Sequence, residues 1–145
     1  YADNIKKNVS NFDEHYKGSY KPFTKQTRFK NFNYKDLETN LSEPLLKKNC
    51  KIKIICCHFP NSLNDEDIKD LSSNKYSFVH FDFDLYLPTL EAIKFILPKL
   101  EKNAILLFDD YNFLNQEGVK VAVLESEINI KRSIQTQGGQ LICFT

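Results

Sequence analysis

The chain has 145 residues, enough for one domain with a real core and too few to argue for two. Its 20 basic residues nearly balance 19 acidic ones, so no electrostatic footprint for nucleic acid is present. No apolar run approaches the roughly 20 residues needed to span a bilayer, and no charged-then-apolar leader opens the sequence.

The chain begins at Tyr1, contains no methionine, and ends on the strand-like Leu141-Ile142-Cys143-Phe144-Thr145. These features are expected of a fragment whose upstream βα units are missing. Up to about Phe32 the sequence is polar and aromatic without a sustained period. It reads as loop, with Asp13-Glu14-His15-Tyr16-Lys17-Gly18 as a turn and His15 as a surface histidine. A helix is expected next: Asn33 can cap it with Asp36 three residues on, Leu37 and Leu41 share one face, and Pro44 ends or bends it.

Lys51 to Cys57 reads as a strand, leading into the turn His58-Phe59-Pro60-Asn61. Asn64 opens a short helix through Leu71, closed by Ser72-Ser73-Asn74. The apolar run Phe78-Val79-His80-Phe81 then reads as a strand buried on both faces, as in a parallel sheet. Pro88 suits the first turn of the helix that comes after it. Leu90, Ile93, Leu97 and Leu100 form its sheet-facing stripe, and Pro98 should distort its last turn. Ala104-Ile105-Leu106-Leu107-Phe108 is a second buried strand. A helix from roughly Asn115 should bury Val119, Ala122 and Val123, and Gln137-Gly138-Gly139-Gln140 is a hairpin turn into a last strand. Alternation of this kind predicts an α/β domain with a mostly parallel sheet over residues 1–145.

The four cysteines, Cys50, Cys56, Cys57 and Cys143, form no C-x-x-C pair and have no histidine at zinc spacing. Reduced, buried thiols of a cytoplasmic protein are expected.

Both apolar strands end in paired acids, Asp82 with Asp84 and Asp109 with Asp110. Ligands of parallel sheets bind outside the carboxyl ends of the strands, where all four would lie. Neighbouring strands are about 5 Å apart, and two unit charges at that distance repel by roughly 3 kcal/mol at an effective dielectric near 20. A bound cation, a basic partner or a raised pKa must offset that cost. All-oxygen ligands favour a hard divalent ion such as Mg2+ over zinc. The alternative for Asp84 or Asp110 is simple capping of the next helix.

The run from Phe78 through Leu90, then Leu97-Pro98-Lys99-Leu100, Phe108-Asp109-Asp110-Tyr111 and Gly118 to Val123, resembles the macrocin O-methyltransferase family. Phe59-Pro60-Asn61-Ser62-Leu63 is similar to that family's Phe-Pro-Asp-Thr-Leu turn. The resemblance runs from about Lys53 to Ala122. It implies a class I methyltransferase (Rossmann-like) fold whose last strand is antiparallel, and an S-adenosylmethionine- and Mg2+-dependent enzyme that methylates a sugar hydroxyl. It also implies roles: Asp82, Asp109 and Asp110 as metal ligands, Asp84 as general base, Cys57, Phe59 and Asp82 at the cofactor, and Tyr86 and Tyr111 at the substrate. The sequence departs from the family at Cys57, where Gly is frequent, and at Lys102-Asn103, which replaces Gly-Gly. Asn tolerates the left-handed conformation a glycine would supply there.

The implied partner is a small-molecule or glycan hydroxyl, with no nucleic acid and no membrane; a homo-oligomer is compatible with the sequence. Two other readings stand beside this one. Asp82-Phe83-Asp84 alone satisfies the Asp-x-Asp motif of metal-dependent nucleotide-sugar glycosyltransferases, and a methyltransferase-like domain without a cofactor loop could serve only for interaction.

Overall fold

A computed structural model describes residues 52–55, 57–112 and 117–145. The expected loop before Phe32, the helix from Asn33, His15, Cys50 and Cys56 lie outside them. The elements in order are α1 (Asp65–Ser73), β1 (Tyr76–Phe81), α2 (Tyr86–Ile96), β2 (Leu100–Phe108), α3 (Glu117–Glu125), β3 (Ser133–Gln135) and β4 (Leu141–Phe144). Short 3-10 turns occupy Leu97–Lys99 and Ile130–Arg132. No described helix is long and apolar enough to cross a membrane.

The sheet order is β1-β2-β4-β3, with β1 parallel to β2 and β4 antiparallel to both its neighbours. Three strands therefore run one way and the last runs against them, as expected. Thr136 N–H donates to the Gln140 carbonyl at 2.9 Å and Gly139 takes φ 87°, which closes the expected hairpin between β3 and β4. The sequence pattern does not reveal β3, whose three residues, Ser-Ile-Gln, are too short to show a period.

The local signals explain the helices. Asn64 caps α1, its side chain accepting from Asp67 N–H at 2.8 Å, and Asp65, Glu66 and Asp67 place negative charge at the positive end of the helix dipole. Pro88 stands in the first turn of α2, and Pro98 coincides with the change to 3-10 geometry at Leu97–Lys99. Asn103 takes φ 63° inside the irregular stretch where the β1–β2 register jumps from Tyr76↔Leu100 to Phe78↔Ile105. That left-handed residue stands where the resemblance has glycine.

One face of the sheet is covered. Phe81, Leu106, Phe108, Leu141 and Cys143 from the sheet join Ile93 and Ile96 of α2 and Val119 and Val123 of α3 in a single core, with Phe81 and Phe108 stacked at 4.7 Å. Fully burying a side chain of this size contributes about 1.5–3 kcal/mol. Burial of Val119, Ala122 and Val123 on α3 agrees with the pattern of the sequence.

The other face departs from expectation. β1 is not buried on both sides: Phe78 is 57% exposed, Ile105 37% and Ile134 56%, because α2 and α3 pack together on the Phe81 side. The strand expected over Lys51–Cys57 is likewise not formed in its described residues, 52–55 and 57. A strand exists only with a ladder partner. Here side-chain ion pairs serve instead, from Lys53 Nζ to Asp67 at 2.9 Å and Asp70 at 2.8 Å on α1. Cys57 and Cys143 are unbridged, and burial pushes the Cys143 thiol up to about 11, which keeps it protonated and unreactive.

At Gly118, α3 lies close against the start of α2. A Cβ there would stand 2.8 Å from the backbone nitrogen of Tyr86 and 3.3 Å from its Cα. Gly118→Ala should therefore cost about 1–3 kcal/mol by overpacking. Gly138→Ala, whose added carbon would sit 3.7 Å from Thr136 Oγ1, should cost much less. Urea unfolding of both variants checks this; equal midpoints would exclude the contact.

Candidate active site at the carboxyl end of the sheet

The parallel register decides where the acids go. Phe81 pairs with Phe108, so both strands end at the same level, and Asp109 N–H continues the ladder to the Phe81 carbonyl at 2.9 Å. Asp82 and Asp109 thus leave the sheet side by side. Beneath them the stacked rings of Phe81 and Phe108 fix the strand ends.

β1 ends at Phe81, and a turn at Asp84, not alternation along one strand, sets where the Asp84 side chain goes. Leu85 N–H donates to the Phe83 carbonyl at 2.6 Å around Asp84, whose φ is 60°. This is a tight three-residue turn centred on a left-handed residue, a rare and strained arrangement. Asp110 is left-handed as well, at φ 53°. Each such residue costs roughly 1–2 kcal/mol, although Asp and Asn are penalised least among non-glycine types. Strain of this kind gathers at functional sites, where packing has to hold it in place.

Phe83 supplies part of that packing. Its ring stacks on Phe59 at 6.2 Å, and Phe59 meets Phe95 of α2 edge-on at 5.2 Å. Phe59, expected at the cofactor, packs in this structure against Phe83, in the turn between Asp82 and Asp84. Cys57, the other expected cofactor contact, is half-buried.

Two compact groups result, both containing Asp82. In one, single oxygens of Asp82, Asp84 and Asp110 lie within 4.8 Å of one another; in the other, His80 joins Asp82 and Asp109 within the same limit. The expected ligands Asp82, Asp109 and Asp110 are thereby divided between the groups, and Asp84 stands inside the first. His80 was not expected at the site. A signal was available: on β1 it lies two residues before Asp82, the spacing that returns a side chain to the same face.

The capping alternative does not account for Asp84. The residue before α2 is Leu85, and no side chain caps that helix. Asp110 lies in a turn whose own amide donates to Asp109 Oδ1 at 3.2 Å. Of the two tyrosines, Tyr86 donates its hydroxyl to Glu125 Oε2 at 2.6 Å. Tyr111 is only 4% exposed and belongs to the core, where burial pushes its hydroxyl pKa up. Tyr111, expected at the substrate, packs in the core next to Asp110.

No family model matches the chain, and no curated protein matches it. Among solved structures it is similar to CalS11, described as TDP-rhamnose 3'-O-methyltransferase, an enzyme in calicheamicin biosynthesis. The apo form matches with TM-score 0.45 and 22% identity, over 55% of this chain and 37% of that one. A second structure of CalS11, described as a calicheamicin methyltransferase, matches with TM-score 0.44 and 23% identity, over 55% and 34%. This chain therefore spans about a third of the length of those proteins.

Like charge at the rim is offset by a proton. Among the described residues, no lysine or arginine forms an ion pair with Asp82, Asp84, Asp109 or Asp110. Instead the Asp110 carboxyl hydrogen-bonds to Asp84, and that bond, partial burial and the charges of Asp84, Asp109 and Asp82 push its pKa up to about 7. A hydrogen bond to a neighbouring carboxylate favours the protonated form of Asp110.

Linkage fixes the sign of the resulting pH dependence. The native state holds a proton on Asp110 up to about 7, while the unfolded chain releases it near the ordinary 3.8. The contribution to stability is complete below the unfolded value and is lost as pH rises through the native one. In chelator, unfolding free energy should therefore decline between pH 5 and pH 8 in the wild type, a window set by the Asp110 shift to about 7. That decline should be smaller in Asp110→Asn. Matched slopes in urea titrations at the two pH values would refute the proton held on Asp110.

Proposed function

We propose that this chain carries the catalytic rim of an S-adenosylmethionine- and Mg2+-dependent O-methyltransferase acting on a sugar hydroxyl, with a class I methyltransferase fold. One observation carries the reading: acids from the ends of two parallel strands meet around Asp82. The motifs that resemble the macrocin family contribute those same acids. An Asp-x-Asp glycosyltransferase site uses Asp82 and Asp84 and leaves Asp109 and Asp110 without a part.

The donor set suits a hard cation. Oxygens around an octahedral Mg2+ are about 2.9 Å apart when adjacent and about 4.2 Å when opposite, from ion–oxygen distances near 2.1 Å. Oxygens of Asp82 and Asp110 lie within 4.8 Å of each other in one group, and those of Asp82 and Asp109 in the other, so the three carboxylates share Asp82 as their common member. Asp82, Asp109 and Asp110 are the proposed ligands. A divalent ion bound there would lower the pKa of a coordinated hydroxyl.

Methyl transfer joins the hydroxyl oxygen to the methyl carbon as the carbon–sulfur bond of the sulfonium breaks, and the hydroxyl proton must leave. A free aspartate near pKa 4 is a poor acceptor for it. Asp84 stands in the same group of oxygens, and its turn is held by packing rather than by a helix cap. Its place at the rim suits a base that receives the proton while the neighbouring carboxylates hold the reactants in line.

The direct test is transfer of label from S-adenosylmethionine to a glycan panel with and without Mg2+. Asp82→Asn, Asp109→Asn and Asp110→Asn should each abolish the response to Mg2+ and lower turnover by roughly a hundredfold or more, the scale of a lost acid–base or electrostatic group. Asp84→Asn should keep Mn2+ binding by calorimetry and lose turnover. Loss of Mn2+ binding in that variant would make Asp84 a ligand, and full activity of the other three in chelator would end the proposal.

A further inference from the structure

The turn that presents Asp84 leads into α2 without a capping side chain, although the Leu85 carbonyl accepts from the Thr89 hydroxyl at 2.6 Å. Leu85 provides no side-chain cap, Asp84 is left-handed at φ 60°, and the residue after Leu85 is Tyr86. Tyr86 is held from outside, by α3, at two places. Its backbone lies against Gly118, where a Cβ would meet the Tyr86 nitrogen at 2.8 Å. Its hydroxyl donates to Glu125 Oε2 at 2.6 Å. Gly118 and Glu125 are separated by two helical turns, so they lie along one face of α3. Tyr86 is thus fastened to that face at both ends, backbone and hydroxyl.

We infer that Glu125, through Tyr86, is a positioning residue for Asp84: the Tyr86–Glu125 bond and the Gly118 contact together set the turn from Asp82 to Leu85. This deepens the reading of the acid rim and rests on it for the role of Asp84. Glu125 acts through Tyr86 and not on the acids directly. Both partners lie toward solvent, so water competes for the bond and its share of global stability is small. A hydroxyl–carboxylate bond of this length is nevertheless among the stronger and more directional ones. Its effect is local, on the strained turn two residues from the tyrosine.

The test uses the full chain and Glu125→Ala, with Glu125→Gln as the variant that keeps an acceptor and Tyr86→Phe as the partner change. Glu125→Ala should move the Asp84 and Leu85 amide resonances and lower turnover roughly threefold or more, the scale of one lost hydrogen bond, while the melting temperature and the Mn2+ affinity measured by paramagnetic resonance change little. Glu125→Gln should restore both resonances and turnover, and Tyr86→Phe should match Glu125→Ala in turnover. Unmoved Asp84 and Leu85 amides in Glu125→Ala would overturn the inference. If wild-type protein takes up no Mn2+, the cation reading of the rim fails separately, and the amides still decide: displaced resonances support positioning and unmoved ones exclude it.

Discussion

Everything distinctive in this structure depends on β1 and β2 ending in register. Parallel pairing carries Phe81 to Phe108, and one further ladder bond, from Asp109 to the Phe81 carbonyl, brings two acidic termini to the same edge. A parallel sheet has a polar direction, so the segments that leave its strands gather on one side. Shifting either strand by one residue would send Phe81 or Phe108 to the exposed face and dismantle both core and rim.

The covered face supports that edge mechanically. Phe81 and Phe108 stack directly under the acids, Phe59 grips Phe83 from the side, and α3 presses on Tyr86 through Gly118. Apolar packing on three sides holds two left-handed aspartates that their own local preferences would relax. Backbone strain and crowded charge are thus both offset by burial elsewhere in the domain.

Electrostatics then gives the rim its chemical character. With no cation from the described side chains close enough to neutralise it, the cluster holds a proton on Asp110 near neutrality. Such a group responds to small changes in its surroundings: a metal ion, a substrate hydroxyl or a change of pH can each displace that proton. The hydrogen bond between Asp110 and Asp84 couples the proposed base to the proposed ligands.

Much of this could be read from the residues in order. Apolar runs ending in paired acids, Asn64 as a cap, Pro88 and Pro98 at the ends of α2, and the Gly138-Gly139 turn are all local signals, and local chemistry decides them. Contacts between distant parts of the chain decided the rest. Whether Ile52–Ile55 joins a sheet depends on a neighbour, and whether Phe78 is buried depends on which face α2 and α3 choose. Phe59 and Tyr111 pack as they do because the fold brings hydrophobic partners to them. Spacing along β1 links His80 to Asp82, but only the pairing of β1 with β2 brings Asp109 to both. Sequence supplied the functional groups and their periodicity; tertiary structure chose their neighbours, since burial and charge interaction are properties of pairs that only folding creates.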